Sequence, residues 1–316
     1  MPLNEKQLIA RIRRVAGRGG KGVLGIGDDC AVLRIPTGDE ALVTTDFSLE
    51  GVHFRREWHP PDAVGHRCLA RGLSDIAAMG GTPRAAFLSL ALPEELPQRW
   101  VDQFIAGFVK LAKRYSVPLA GGDTAQSPDG ILADIVVLGS VPAGEAVLRS
   151  GARPGDLIYV TGTLGAAMAD LDQLRAGKKL RPGAHRKHFY PEPRVEVGKF
   201  LREKKLVSAM IDISDGLSTD LSHICEESGV GAVIHADGIP AGVRGKDALR
   251  FALHGGDEYE LLFTAGPGYR IPKQVAGVPI TQIGEIVRGK QMKLTLKDGN
   301  SEALAPGGWE HFKNSG

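Results

Sequence analysis

Apolar residues recur along this chain at two different spacings, and each spacing predicts a different kind of element. From Gln98 to Tyr115 the bulky residues return every three or four positions, as in a helix that buries one face. Leu217, Leu221 and Ile224 form a second stripe of the same kind. Prolines and glycines mark where such segments begin and end. The pattern predicts helices at residues 63–79, 98–115, 195–204 and 217–227.

Short apolar runs bounded by turn residues predict strands. These runs lie at residues 31–35, 40–45, 131–141, 157–160, 207–213, 232–235, 259–264, 280–287 and 292–296. The first two flank the turn sequence Pro36-Thr37-Gly38-Asp39, so we expect them to pair as adjacent antiparallel strands. Helices and strands are mixed in both halves of the chain, which predicts two α+β domains rather than one doubly wound sheet.

The length supports this division. A chain of 316 residues exceeds what one compact core usually organises, so two domains are expected. Residues 142–155 are rich in glycine and proline and contain no strong apolar pattern, and we place the boundary there. The predicted domains are residues 1–145 and 146–316.

Composition mainly excludes other classes of protein. The 39 basic residues nearly balance the 37 acidic ones, and a net charge of +2 recruits neither nucleic acid nor an anionic membrane. Residues 1–6 lack the apolar core of a signal peptide, and no stretch approaches the roughly 20 apolar residues of a membrane span. A cytoplasmic protein is therefore expected. Cys30, Cys68 and Cys225 lack paired spacing and are expected to be small core residues.

The informative polar feature is a set of aspartates at the ends of predicted elements, most of them beside glycine. They are Asp28, Asp29, Asp46, Asp75, Asp123, Asp212, Asp215 and Asp257. A turn or a helix cap explains any single one, because Asp and Gly both favour turns. Asp46 ends an apolar run and Asp212 lies inside another, where a carboxylate needs cations or hydrogen-bond donors. Asp75 lies among the apolar positions of a predicted helix. It is either a metal ligand or the ion-pair partner of Arg71.

Convergence of four or more of these carboxylates requires divalent cations, because two unit charges about 4 Å apart repel by about 4 kcal/mol at an effective dielectric of about 20. Oxygen ligands select magnesium, calcium or manganese, and magnesium is commonly shared with substrate phosphates. A nucleoside triphosphate is the expected companion. The sequence contains no P-loop and no protein-kinase catalytic loop. Gly121-Gly122 and residues 161–165 are the candidate phosphate-binding backbone.

Seven blocks of sequence resemble the thiamine-monophosphate kinase family, in the order that is typical of that family. They lie at residues 25–31, 44–46, 50–54, 73–80, 121–124, 212–217 and 255–261. The resemblance implies an α+β fold of two domains: an N-terminal mixed or antiparallel sheet with helices, which dimerises into a barrel, and a C-terminal α/β sandwich that closes over the nucleotide. It implies a Mg²⁺-dependent homodimer that moves the γ-phosphoryl group of ATP directly, in line, onto thiamine phosphate to give thiamine diphosphate.

The resemblance also implies roles for individual residues. The positions that match metal contacts are Asp29, Thr44, Thr45, Asp46, Asp75, Asp123, Asp212 and Asp215. The positions that match nucleotide contacts are Gly122, Asp123, Arg149 and Ser214, and those that match the substrate side are His53, Asp257 and Trp309. Without the resemblance, His53 is a structural or surface histidine and Trp309 a packing residue. The family often has Gly-Gly-Glu-Asp where this chain has Gly-Gly-Asp257-Glu258, so the sequence leaves open which carboxylate meets the thiamine.

The sequence is also compatible with two other functions. The same superfamily contains aminoimidazole ribonucleotide synthetase, selenophosphate synthetase and a hydrogenase maturation protein. The position of Cys30 after the aspartate pair and the ending Asn314-Ser315-Gly316 disfavour the second and the third. The first is the nearest enzymatic alternative. The other reading is a non-catalytic scaffold that binds metal or nucleotide, although a scaffold does not need so many separated carboxylates.

Overall fold

The computed structural model describes residues 3–17, 23–26 and 30–312, and the chain divides into two compact units. The first unit comprises Met1–Ile76, Gly81–Gly144 and Arg181–Pro191, and the second comprises Ala77–Gly80, Glu145–Leu180 and Glu192–Gly316. The chain therefore returns to the first unit twice, at Gly81 after the short segment Ala77–Gly80 and at Arg181 after Glu145–Leu180. The assignment of functions to residues 1–145 and 146–316 stays a prediction.

Within the described residues the helices and strands are as follows. The helices are α1 (Glu5–Ala16), α2 (Pro61–Ala78), α3 (Gln98–Arg114), α4 (Ala166–Arg175), α5 (Arg186–Phe189), α6 (Val195–Glu203), α7 (Leu217–Ser228) and α8 (Ala248–His254). The strands are β1 (Val23–Leu24), β2 (Val32–Leu33), β3 (Asp39–Leu49), β4 (Thr82–Pro93), β5 (Leu119–Ser127), β6 (Leu132–Pro142), β7 (Leu157–Thr161), β8 (Ala209–Asp212), β9 (Gly231–His235), β10 (Leu261–Ala265), β11 (Gln274–Val275), β12 (Val278–Val287), β13 (Met292–Thr295) and β14 (Ser301–Ala303).

The first unit is built on a sheet with the strand order β3-β6-β4-β5. β4 and β5 run parallel, whereas β6 is antiparallel to both of its neighbours. The side chains of Phe104 and Phe108 on α3 and of Leu69 on α2 are fully buried, as is Ile135 in the middle of β6. These residues make the core on one face of the sheet. The opposite face is open in this chain, and its residues are considered with the site below.

The second unit is built on a larger sheet with the order β14-β13-β9-β12-β7-β10-β8, to which β11 adds by pairing with β12. Neighbouring strands are antiparallel except for β13 and β9, which run parallel. The stripe on α7 that the sequence predicted is buried, because Leu217, Leu221 and Ile224 all belong to the core of this unit. Burial of such a face stabilises by about 1.5–3 kcal/mol for each large aliphatic side chain.

The prediction of a mixed helix and strand fold in two domains is confirmed, and the four predicted helices are present within two residues of their expected limits. The expected pairing of the strands at 31–35 and 40–45 is wrong. In the described part of the chain β2 pairs with β1, and β3 pairs with β6 along its whole length. Cys68 and Cys225 are buried as expected, but Cys30 is exposed, so its prediction as a core residue is wrong. No helix among the described residues combines the length and the apolar character that crossing a membrane requires.

Candidate active site

Strand β3 carries candidate residues on both of its faces. Ser48 is buried whereas Phe47 is 54% exposed, and this alternation continues along the strand. Because successive side chains of a strand point to opposite faces, Thr44 and Asp46 share the helix-covered face with Ser48. Thr45 shares the open face with Phe47. The run Thr44-Thr45-Asp46 therefore supplies oxygen atoms to two sides of one sheet.

On the helix-covered face, β3 meets helix α2. The hydroxyl of Thr44 donates a hydrogen bond to Oδ2 of Asp75, so this aspartate lies beside the strand. Arg71, which the sequence offered as an ion-pair partner of Asp75, donates from Nη1 to the carbonyl oxygen of Phe47 at 3.2 Å. Thr44, Asp46 and Asp75 are thus grouped by one strand and one helix.

On the open face, a row of polar residues crosses the sheet. Thr45 donates from Oγ1 to Oδ1 of Asp134 on β6 at 2.9 Å. Asp134 lies opposite Ser89 of β4, and Ser89 lies opposite Asp123 of β5. Because directly opposite residues share a face, Asp123 is on the same side of the sheet as Thr45 and Asp134. The predicted metal residues of the first unit therefore form two groups rather than one.

Gly122 stands next to Asp123 in the edge strand β5, and the structure requires a glycine there. Its φ angle is 146°, and a Cβ atom at this position would lie 1.8 Å from the carbonyl oxygen of Leu88. Glycine alone combines this backbone angle with so close an approach of two strands. The glycine therefore serves the packing of β5 against β4, and Gly122 itself is exposed beside Asp123.

His53 lies in the turn that follows β3. Its Nδ1 accepts a hydrogen bond of 3.0 Å from the backbone N–H of Leu49, the last residue of the strand. The bond assigns the acceptor role to Nδ1, so the neutral ring carries its proton on Nε2. His53 is therefore held in a defined tautomer whose Nε2–H is a hydrogen-bond donor.

The second unit gathers its candidate residues around the turn that follows β8. Asp212 ends this strand and is 4% exposed, whereas Ser214 and Asp215 in the turn are half-buried. Asp220 of α7 holds the turn in place, because its Oδ2 accepts hydrogen bonds from the backbone N–H groups of Asp215 at 3.2 Å and of Gly216 at 2.9 Å. This aspartate satisfies backbone donors at the start of the helix in the manner of a capping residue.

Charge is concentrated at this turn. Burial raises the pKa of Asp220 well above its ordinary value, and the charges of Asp212 and Asp215 act in the same direction. Among the described residues, ligand atoms of Asp215, Asp220 and His223 lie within 4.8 Å of one another, close enough to hold one metal ion together. Burial also raises the pKa of Asp215.

Other charged residues act on Asp215 from the surrounding segments. The charges of His223, His311 and Arg149 favour its ionised form, whereas that of Asp257 opposes it. Trp309 is tied to the same turn by a hydrogen bond of 2.9 Å from its backbone N–H to the carbonyl oxygen of Asp215. The second unit therefore brings together all of its predicted nucleotide and substrate residues.

The neighbouring carboxylates Asp257 and Glu258 differ in burial and in hydrogen-bond partners. Asp257 is half-buried, has a left-handed backbone with φ of 60°, and accepts a hydrogen bond of 2.6 Å from the hydroxyl of Tyr259. Its backbone N–H donates to the carbonyl oxygen of Ser214 at 2.8 Å. Left-handed non-glycine residues of this kind are strained and are common at functional sites. Asp257 thus lies at the turn that carries Asp215.

Glu258 is used differently, and it occupies a position that we expected to bind phosphate. Its Oε1 accepts hydrogen bonds from the backbone N–H groups of Gly165 at 2.7 Å and of Ala167 at 3.2 Å, at the start of α4. Next to it, Thr161 donates from Oγ1 to Oε2 of Glu260 at 2.7 Å. The expectation that residues 161–165 cradle a phosphate is therefore wrong, because protein carboxylates already bind there.

The predicted site residues fall into three groups. The first unit holds Thr44, Asp46 and Asp75 on one face of its sheet, and Thr45, Gly122 and Asp123 at the other face and the edge, with His53 at the end of β3. The second unit holds Asp212, Ser214, Asp215, Arg149, Asp257 and Trp309 around one turn. Asp29 lies outside the described residues.

Sequence reasoning missed Asp134 and Asp220. Asp134 stands inside the apolar run of β6, which is the same signal that singled out Asp212. Asp220 lies on the buried side of α7, between Leu217 and Leu221, and is 1% exposed. A carboxylate on the apolar stripe of a helix is costly unless it is hydrogen-bonded. Both residues could have been found by asking which aspartates interrupt an apolar pattern.

Both halves of the chain match domains of one known protein family. Residues 27–141 match the N-terminal domain of the AIR synthase related proteins, and residues 153–297 match their C-terminal domain. The two domains and the carboxylate-rich site thus define a protein of the AIR synthase related class. The chain is 40% identical to the thiamine-monophosphate kinase of Salmonella typhimurium over 303 residues, with 91% of each chain covered. This chain belongs to the thiamine-monophosphate kinase family.

Solved structures agree with this assignment. The thiamine-monophosphate kinase of Stenotrophomonas maltophilia K279a superposes with a TM-score of 0.83 at 36% identity, covering 96% of this chain and 99% of the other. A structure of AaThiL complexed with AMPPCP and TMP superposes with a TM-score of 0.78 at 31% identity, covering 99% of both chains. The similarity therefore extends over both units.

Proposed function

We propose that this protein catalyses the ATP-dependent phosphorylation of thiamine phosphate to thiamine diphosphate. The observation that carries the proposal is the 40% identity to a thiamine-monophosphate kinase across 91% of both chains. A related structure at 31% identity contains AMPPCP, a non-hydrolysable ATP analogue, together with TMP. The reaction takes place in the cytoplasm, where ATP is supplied.

The donor atoms of the two units fit Mg²⁺. The hydroxyls of Thr44 and Thr45 each donate their proton to a carboxylate, so the oxygen lone pairs remain for a cation. Asp46, Asp75 and Asp123 add carboxylate oxygens in the first unit. In the second unit Asp212 and Asp215 do the same, and oxygen ligands of this kind are those that magnesium prefers. Bound Mg²⁺ supplies charge neutralisation for the phosphates and holds their oxygens in place.

The protein's own residues supply alignment. Gly122 is exposed beside Asp123 and is the proposed backbone contact of a phosphate, and the exposed guanidinium of Arg149 is suited to a phosphate oxygen pair. On the acceptor side, Nε2–H of His53 donates to the acceptor phosphate. Asp257 complements the positive thiazolium ring of thiamine, and the indole of Trp309 offers an aromatic surface for it.

The chemical step is direct. An oxygen of the thiamine phosphate attacks the γ-phosphorus of ATP, and the bond to the bridging oxygen of ADP breaks, with no covalent enzyme intermediate. An anionic phosphate acceptor needs little help from a general base, and transfer through a loose transition state depends mostly on positioning and charge neutralisation. This agrees with a site whose described residues include many carboxylates and no activated nucleophile.

A second copy of the chain is the proposed partner. Val43 and Phe47, which lie on either side of Thr45 on the open face of β3, are 66% and 54% exposed, and exposed large apolar residues on one face of a sheet are typical of an interface. Pairing of this face with its counterpart in a homodimer, which closes a barrel, buries both residues.

The proposal is tested by incubating the protein with ATP, Mg²⁺ and thiamine phosphate and separating thiamine, thiamine phosphate and thiamine diphosphate by chromatography. We expect thiamine diphosphate to form only when all three components are present. Aminoimidazole ribonucleotide precursors offered in the same assay serve as the control for the nearest related enzyme. Turnover of those precursors without formation of thiamine diphosphate would refute the proposal.

A further inference from the structure

Three consecutive backbone N–H groups attach the C-terminal strap, which we define as residues 305–310, to the start of helix α7 and to the turn at Asp215 that precedes it. Gly307 N–H donates to Oγ of Ser218 at 3.2 Å, and Gly308 N–H donates to Oγ1 of Thr219 at 3.1 Å. Trp309 N–H donates to the carbonyl oxygen of Asp215 at 2.9 Å. The strap is thus held along the first turn of α7 and the turn that precedes it.

The two glycines of the strap are required by space rather than by backbone conformation. A Cβ atom at Gly308 would lie 2.1 Å from the carbonyl oxygen of Asp215 and 2.8 Å from Oγ1 of Thr219. A Cβ atom at Gly307 would lie 2.6 Å from Nδ1 of His254. Neither glycine is among the residues with positive φ. Their role is therefore to let the strap approach the turn closely.

Ser218 fixes the strap from the buried side. Its Oγ lies 2.8 Å from Nδ1 of His254 while it accepts the N–H of Gly307. A serine hydroxyl has one donor and two acceptor sites, so Ser218 makes both contacts at once. Burial, together with the nearby charge of Arg250, lowers the pKa of His254 and favours its neutral form. The contact is thus a fixed chain of hydrogen bonds from helix α8 through Ser218 to the strap.

The turn formed by Ser214 and Asp215 binds the backbone of Asp257 as well as that of the strap. Its side chains, Ser214 and Asp215, are the proposed nucleotide and metal residues. Its carbonyl groups hold the two proposed acceptor residues of this unit, because Asp257 N–H donates to Ser214 at 2.8 Å and Trp309 N–H donates to Asp215 at 2.9 Å. One short segment of backbone therefore connects the residues for both substrates.

We propose that Gly307 and Gly308 are positioning residues for the acceptor, and that the turn they contact couples acceptor binding to nucleotide binding. The inference rests on the proposed function, because it needs Trp309 to touch thiamine phosphate. Displacing the strap moves Trp309 away from the turn while the side chains of Ser214 and Asp215 stay in place. Acceptor binding is then weakened, and the gain in acceptor affinity that bound nucleotide provides is lost.

The test uses Gly308→Ala in the full-length protein, with Gly268→Ala as the matched control. A Cβ atom at Gly268 meets no atom within 4 Å, and Gly268 has no positive φ, so this variant makes the same chemical change in open space. Thermal unfolding and size-exclusion chromatography establish that both variants are folded. Thr219→Val, which removes only the acceptor of the Gly308 N–H, replaces Gly308→Ala if that variant does not fold.

Isothermal titration calorimetry measures Kd for thiamine phosphate with and without AMPPCP and Mg²⁺, and Kd for AMPPCP alone. For Gly308→Ala we expect the acceptor Kd with nucleotide present to rise at least tenfold. The AMPPCP Kd should stay within threefold of the wild-type value, and Gly268→Ala should match wild type in both. Thr219→Val should raise the acceptor Kd by about threefold to tenfold. Equal acceptor affinities in Gly308→Ala and wild type would overturn the inference.

Two further readouts separate this inference from its alternatives. Amide hydrogen exchange in residues 305–312 should be faster in Gly308→Ala, and faster exchange without weaker acceptor binding means that the strap is only structural. Trp309→Ala should weaken acceptor binding as much as Gly308→Ala does, and an unchanged acceptor Kd in Trp309→Ala also overturns the inference. If the wild-type protein itself binds no thiamine phosphate, the proposed function fails, and that outcome is distinct from the others.

Discussion

Replacing Asp212 by asparagine tests whether this residue serves function or folding. The side chain ends β8 and is 4% exposed, and its charge raises the pKa of Asp220 nearby. Asparagine has nearly the same shape, so the substitution removes the charge without opening a cavity. A buried carboxylate beside other carboxylates destabilises a fold, and such residues are retained where function needs them.

Asp212→Asn is expected to raise the free energy of unfolding and to lower kcat. Two carboxylate charges about 8 Å apart repel by about 2 kcal/mol at an effective dielectric of about 20, so Asp212→Asn should raise the free energy of unfolding by up to about 2 kcal/mol. Loss of one charged group that holds the reacting phosphates typically lowers kcat by about 10²–10³-fold. We therefore expect a protein that is at least as stable as wild type and nearly inactive.

The assay pairs urea unfolding in EDTA with steady-state formation of thiamine diphosphate at saturating ATP, Mg²⁺ and thiamine phosphate. Asp156→Asn is the control, because Asp156 is equally buried but accepts hydrogen bonds from Ser208 Oγ at 2.6 Å and Arg153 N–H at 3.0 Å, in a structural role. This control should lose about 1–2 kcal/mol of stability and keep its kcat. An Asp212→Asn protein that is less stable than wild type but has normal kcat contradicts the reasoning.

Four further predictions follow from the same structure. Asp46→Asn should abolish turnover while the unfolding midpoint changes little, and near-normal activity in this variant would remove Asp46 from the metal site. Because burial and the charge of Arg250 lower the pKa of His254, protons bind preferentially to the unfolded chain, so stability should fall as the pH drops below about 6.5. Chemical denaturation at pH 7.5 and 5.5 should show a smaller fall for His254→Asn than for wild type, and equal falls contradict this. Transfer from ATP that is chiral at its γ-phosphorus should invert the configuration, whereas retention indicates a phosphoenzyme. Sedimentation at micromolar concentration should show a dimer that Phe47→Lys converts to a monomer, and a fully active wild-type monomer refutes the proposed dimer.

Helices α2, α3, α6 and α7 and most of the second-unit strands could be predicted because their signals are local, whereas α1, α4, α5, α8, β11 and β14 were missed. The stripe of Phe104 and Phe108 on α3 is readable within one element, and both side chains are fully buried. Strand β4 was missed although Leu88, Leu90 and Leu92 alternate with smaller residues. Pro83 and the alanines of β4 are uncommon in strands, and they obscured the pattern.

Pairing partners were harder to predict than elements. Residues 31–35 and 40–45 have turn residues between them, which favours a hairpin, but β3 pairs with β6, about 90 residues further along the chain. Strand β5 contains Gly121-Gly122 and was not among the predicted strands. As an edge strand it tolerates glycine, and the close approach of Leu88 requires it at Gly122. Such long-range contacts leave no local signal.

In the candidate site, too, local features could be predicted from the sequence and long-range contacts could not. Asp212 was found because it interrupts an apolar run, and its burial agrees with that reading. Glu258 binds backbone N–H groups at the start of α4, which are 93 and 91 positions away from it in the sequence. The sequence alone therefore could not distinguish the role of Glu258 from that of Asp257. The role of Trp309 was likewise suggested only by resemblance, because its attachment to Asp215 is made by the backbone.

Transfer of labelled phosphate tests the central claim most directly. The wild-type protein is incubated with Mg²⁺, thiamine phosphate and ATP that carries ³²P at its γ-position, and the products are separated by chromatography. The account predicts that the label moves to the terminal phosphate of thiamine diphosphate, with one ADP formed for each labelled product. Label that appears only as inorganic phosphate, or that stays in ATP while thiamine phosphate is unchanged, would contradict the account.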